Sequence, residues 1–138
     1  MEQWPDYACA ILEDREGRLL LEARLETARH AAGKLTCFGG RREAGESPEM
    51  CLRRELREEL NWEPKRLDKR VELRVAGQSM AWFFHAVLDG TFDLARIAPG
   101  HRGIFIPQSD LVRHPLSPWH AATLAAWFEG RGVAELES

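Results

Sequence analysis

The stretch GGRREAGESPEMCLRRELREELNW, Gly39 to Trp62, joins a glycine pair, a charged loop, a helix-start signal and a helix carrying Glu55, Glu58 and Glu59. On a helix each residue advances about 100°, so Glu59 lies one turn beyond Glu55 on nearly the same line, with Glu58 beside them. Like charges so placed repel by a few tenths of a kcal/mol per exposed pair, and by more once desolvated. A hard divalent cation offsets that cost, because Mg²⁺ takes oxygen ligands in sites built from a few carboxylates plus substrate phosphates. The plain alternative is a solvated Glu/Arg surface helix.

The helix has readable ends. Ser47 is an N-cap residue and Pro48 suits the first helical position, while Met50 stands where a capping box would place a glutamate. Asn61 tolerates the left-handed conformation common at helix C-termini, and Pro64 prevents continuation. The spacing therefore predicts a helix over 48–60. Leu52, Leu56 and Leu60 fall at i, i+4 and i+8, an apolar stripe that packs on a sheet beside the glutamate face. Upstream, Gly39-Gly40 reads as a tight turn that lets another group approach the backbone closely, followed by a charged loop over 41–45.

In register, this stretch resembles the Nudix box: Gly, five residues, Glu, seven residues, then Arg-Glu-aliphatic-x-Glu-Glu-x-Gly-bulky apolar. Gly40, Glu46, Arg54, Glu55, Leu56, Glu58, Glu59 and Trp62 all match, and Asn61 replaces the closing glycine. With average residue usage such a match arises by chance in roughly one window in 10⁷, which favours the resemblance over a merely charged helix. Phe38 stands where the family often has proline before the glycines. The resemblance implies an α+β fold of the α/β/α sandwich type, a mixed sheet between helices, and a single domain over residues 1–138.

It also implies a chemistry: Mg²⁺-dependent hydrolysis, with Mn²⁺ as an alternative ion, of a phosphoanhydride in a nucleoside diphosphate linked to another moiety. Glu55, Glu58 and Glu59 with the Gly39 carbonyl would be metal ligands, and Arg54 would hold carboxylates by charge-assisted hydrogen bonds. Gly40 and Glu46 would be structural parts of the box. Glu55 is the first choice of general base and Glu58 the second. Asp93 and His101, on a later loop, match no motif and read as solvated. A ligand sensor without catalysis is the competing class, though the box is intact and no effector domain is expected beside the single domain. An isoprenoid diphosphate isomerase is a distant third, because Cys37 in TCFGG lacks the context of a catalytic cysteine.

Outward from the box, YACAIL at Tyr7 to Leu12 and LLLEA at Leu19 to Ala23 flank a polar turn containing Gly17, a hairpin signal. Arg24 closes the second run, where a substrate phosphate can reach it, against the reading of a solvated strand-end arginine. Leu35 to Phe38 is a brief strand. Downstream, strands are expected at 67–75 and 80–88, joined by Ala76-Gly77-Gln78, and at 104–106. A long loop over 91–102, one helical turn at 109–112 and a helix from Ser117-Pro118 to about Glu129 complete the chain, with Trp119, Leu124 and Trp127 for packing. Phe38 and Trp82, the latter with Phe84 on one strand face, are named as base-stacking residues, although core packing explains them as well.

The remaining composition narrows partners and location. A 138-residue chain suits one domain with a core of its own. Its formal net charge of −3 gives no basic footprint for nucleic acid. Cys9, Cys37 and Cys51, odd in number and set among apolar residues, read as buried thiols in a reducing compartment. No apolar run nears the about 20 residues of a membrane span, and MEQWPD lacks the build of a secretory leader. The expectation is a cytoplasmic protein acting on a small nucleotide-type substrate, with no nucleic-acid or membrane partner. A homodimer is the oligomer to test.

Overall fold

The apolar runs around the box become strands of one sheet. The computed structural model describes residues 3–138; Met1 and Glu2, which open the segment inspected for a leader, lie outside the described residues. Eight strands form the sheet: β1 (Tyr7–Glu13), β2 (Arg18–Ala23), β3 (Leu35–Thr36), β4 (Phe38–Arg41), β5 (Asp68–Val75), β6 (Gln78–Val87), β7 (Gly103–Pro107) and β8 (Val133–Leu136). Helix α1 (Pro48–Leu60) follows β4 and α2 (Pro118–Phe128) precedes β8. The strand order is β3-β2-β1-β6-β5-β8, with β4 also paired to β1 and β7 to β2. The pairs β1/β6 and β5/β8 are parallel and the others antiparallel, so the sheet is mixed.

Each helix covers one face. Leu52, Leu56 and Leu60 are fully buried and pack with Ala8, Ala10, Phe38 and Phe84. Burial of each leucine stabilises the fold by about 1.5–3 kcal/mol. On the other face Leu124 and Ala126 of α2 join Cys9, Ile11, Leu21, Leu73 and Phe83. The expected sandwich of a mixed sheet between helices is the observed architecture. Cys9, Cys37 and Cys51 are all free and buried, as expected of interior thiols. Among the described residues no helix is long and apolar enough to cross a membrane.

The first hairpin is shorter than its sequence suggests. β1 pairs with β2 at Leu12–Leu20 and Glu13–Leu19; β4 then takes the same edge, matching Tyr7, Ala8, Cys9 and Ala10 to Arg41, Gly40, Gly39 and Phe38. The two strands diverge after their turn, and a gap opens between β2 and β4. Gly39-Gly40, read above as a turn, are therefore strand residues. They are needed because other groups press on them. A Cβ on Gly39 (φ +145°) would run into the Ala8 carbonyl oxygen and lie 2.6 Å from the Cys9 Cα, and one on Gly40 would lie 2.5 Å from the Glu55 carboxyl.

The second hairpin turns through Ala76 and Gly77, both at positive φ (51° and 79°), the pattern that matches strand twist. The sequence reading missed β8, whose only pairing in the sheet is parallel and distant in sequence.

Candidate active site

Helix α1 is set by its ends. The Ser47 hydroxyl accepts the Met50 N–H at 3.1 Å, and Asn61 adopts the left-handed conformation (φ 51°, ψ 39°) while its N–H closes the last turn on the Arg57 carbonyl. Asn61 thus serves at the position where the box usually has glycine. Its side-chain amide also donates to the Arg96 carbonyl at 2.7 Å, and the Ala98 N–H donates to the Glu59 carbonyl at 2.9 Å. Both bonds fasten the loop after β6 to the end of α1.

This orientation lays two glutamates across two successive glycines. The Glu59 carboxylate accepts the Gly39 N–H at 3.1 Å, and the Glu55 carboxylate lies against Gly40. Arg54 binds Glu46 through two contacts, 2.6 and 3.0 Å, and reaches Glu55 at 3.0 Å, Glu58 at 3.3 Å and the Arg41 carbonyl at 3.2 Å. The paired hydrogen bonds hold the Glu46 carboxyl down at about 2 and keep the guanidinium charged. Glu58, with a side chain 60 % exposed, sits at the rim.

Glu59 is outside the reach of Arg54's hydrogen bonds and only 7 % exposed. Burial pushes its carboxyl up to about 9, with repulsion from Glu22 and Glu55 adding to the shift; the Gly39 N–H and Arg24 oppose it. Burial also raises Glu55, against the pull of Arg54. Glu22, 4 % exposed on β2, and His101 complete the cluster. His101 Nδ1 is 2.6 Å from Glu22 and 4.0 Å from Glu59, and one ligand atom from each of the three falls within a 4.8 Å span. A donor set of buried carboxylate oxygens, pressed together on a cradle that any Cβ would fill, fits a hard divalent cation.

The sequence reading missed Glu22. Its signal was a charged residue inside the apolar run LLLEA. His101, read as solvated, belongs to this cluster, whereas Asp93 is exposed and caps the 3₁₀ turn Leu94–Arg96 through the Ala95 N–H. Arg24, just after β2, lies 3.6 Å from Glu22, and its Nε donates to the His30 carbonyl at 3.3 Å.

Beside the carboxylates, in the gap between β2 and β4, a pocket of about 450 Å³ runs toward the start of α2, lined by Tyr7, Cys9, Arg24, Gly39, Trp119 and His120 among others. Tyr7 and Trp119 meet edge to face with centroids 5.7 Å apart. Phe38 and Trp82 are not part of it. Phe38 is fully buried beneath α1 and has no surface for a ligand, and Trp82 packs on that same side with the Lys69 ammonium 3.6 Å from its ring centroid. Tyr7 and Trp119 supply the aromatic surface instead.

His120, in the first turn of α2, accepts the Cys37 N–H on Nδ1 at 3.0 Å and meets Phe83 edge to face. Burial, with Arg24 nearby, lowers its pKa from 6.5 to about 4. The unfolded chain therefore binds a proton between pH 6.5 and 4 that the folded chain refuses, so this contribution is complete above pH 6.5 and lost as pH falls toward 4. Urea unfolding should show wild type losing on the order of 3 kcal/mol relative to His120→Gln across that window. A constant difference would show that the ring titrates normally.

The model of the NUDIX domain family matches residues 4–127. No curated protein sequence matches the chain significantly. Among solved structures, the E. coli ORF135 protein is 29 % identical, with 89 % of this chain and 87 % of that one covered and a TM-score of 0.67. A MutT NUDIX hydrolase from Burkholderia pseudomallei is 24 % identical (90 % and 98 % covered, TM-score 0.71). The NUDIX domain of Shewanella oneidensis NrtR, solved in complex with ADP ribose, is 19 % identical (94 % and 89 % covered, TM-score 0.69). The family model spans the whole carboxylate helix and every strand of the sheet but β8; the chain belongs to the NUDIX family and is a hydrolase acting on phosphorus-containing acid anhydrides.

Proposed function

We propose that the protein hydrolyses, with Mg²⁺ or with Mn²⁺ in its place, a phosphoanhydride in a nucleoside diphosphate linked to another moiety. The observation that carries this reading is the meeting of Glu55 and Glu59 on Gly39-Gly40, with Glu22 and His101 clustered beside Glu59, next to an aromatic-walled pocket. Glu55, Glu58, Glu59 and the Gly39 carbonyl would hold the ion. When bound, it neutralises phosphate charge and makes water a better nucleophile.

The chain's own residues do the rest. Arg54 fixes Glu55 and Glu58, and the Gly39 N–H fixes Glu59. Glu55, whose carboxyl is raised by burial, takes the proton of the attacking water, a role suited to a base with a pKa drawn toward neutrality. As water adds to phosphorus, the bridging oxygen leaves with the second phosphate. Arg24 faces the phosphates, and Tyr7 and Trp119 give the base an aromatic wall. The ADP ribose bound by the Shewanella domain belongs to the proposed ligand class.

The test is a panel of nucleoside triphosphates, nucleotide sugars and dinucleoside polyphosphates with Mg²⁺ or Mn²⁺, products identified by mass spectrometry. Cleavage between phosphates, abolished by EDTA, is the expected result. No cleavage of any member with metal bound would sink the reading.

A further inference from the structure

The hydrogen bond between Cys37 and His120 determines what the pocket can recognise. The Cys37 N–H, in the break between β3 and β4, points at Nδ1 of His120 at 3.0 Å. A backbone N–H can only donate, so Nδ1 carries no proton and the neutral ring bears its hydrogen on Nε2. The edge-to-face contact with Phe83, centroids 5.4 Å apart, holds the ring plane. The charged ring, which would put a second proton on Nδ1, is excluded at neutral pH by burial and by Arg24. Among the described residues Nε2 has no hydrogen-bond partner in the protein, and His120 lines the pocket with Tyr7, Cys9 and Trp119. It is a donor that cannot turn and cannot accept.

Resting on the reading of this pocket as the base site, we propose that His120 is a specificity-determining residue whose Nε2–H selects nucleobases presenting a carbonyl oxygen, the 6-oxo purines and 4-oxo pyrimidines, over their amino counterparts. An exocyclic amino group also donates and would face the imidazole N–H with neither partner satisfied. Sites built to pair one polar group reject the mismatched analogue because buried donors are left unpaired. Arg24, a second side-chain donor of the pocket, is drawn toward Glu22 and the His30 carbonyl, whereas the His120 Nε2–H has no acceptor among the described residues.

The experiment compares kcat/KM for inosine against adenosine triphosphate and for uridine against cytidine triphosphate, in wild type, His120→Gln and His120→Phe. Wild type should favour the oxo member of each pair by about tenfold or more. His120→Gln, whose amide both donates and accepts, should bring each ratio close to one, and so should His120→Phe. Each ratio is taken on one enzyme preparation, so partial misfolding cancels. If the phenylalanine variant does not fold, ¹⁵N NMR of wild-type His120 replaces it: the Nε2–H tautomer should be present, with its Nε2 signal moved by inosine but not adenosine nucleotide. Turnover of all four nucleotides with wild-type ratios of one, or ratios unchanged in His120→Gln, overturns this assignment and leaves the hydrolase reading standing. No turnover of any of them, nor of the wider panel, overturns both.

Discussion

Glu59→Gln should lower kcat/KM by about a thousandfold or more with every substrate the protein cleaves. The side chain keeps its size and can still accept the Gly39 N–H, so the loss reflects charge at the metal position rather than packing. Such a charge contributes several kcal/mol to stabilising the transition state, and each 1.4 kcal/mol is about tenfold in rate. The same substitution should stabilise the metal-free protein at neutral pH, because it removes a carboxyl that must take up a proton to be buried there, its charged form opposed by burial first and then by Glu22 and Glu55. Melting curves in EDTA and in Mg²⁺ separate the two effects. Wild type should gain thermal stability from the ion, and the variant should start higher and gain little. Retained turnover would remove Glu59 from the metal site.

Gly39→Ala should cost about 4 kcal/mol or more and lower Tm by about 10 °C or more. Two penalties combine: a positive φ of 145° that L side chains rarely adopt, and a methyl group driven into the backbone of Ala8 and Cys9. Backbone cannot move aside without parting β4 from β1. Gly40→Ala is the control. Its new methyl meets the Glu55 carboxyl, the end of a side chain, so its damage should fall on kcat with a smaller loss of stability. Equal melting losses in the two variants would show that the close approach at Gly39 is not what requires glycine.

What could be read from the sequence followed the range of the interactions. The ends of α1, its leucine stripe and the charges of Glu46, Arg54, Glu55 and Glu59 lie within a short stretch, and local spacing displays them. The Ala76-Gly77 turn is equally local. Glu22 and His101 are distant from each other and from Glu59, and the carboxylate–imidazole contact exists only because the sheet and loop bring them together. Residue type alone misplaced the aromatics. Phe38 faces α1 and Trp82 the same side, while Tyr7 and Trp119 meet only because α2 docks across the sheet. β8 was invisible for the same reason, since a four-residue strand in parallel pairing has no turn to announce it.

The shared edge of β1 bears on how such a protein can change its diet. The box glycines lie on β4 and its acids on α1 and the loop before it, whereas Arg24 follows β2 and Trp119 and His120 open α2. Drift in the second group can alter which molecule is admitted while the hydrolytic parts are inherited intact. A laboratory seeking new substrates should therefore randomise the β2 end and the first turn of α2 together, and leave the glycine pair and its glutamates alone.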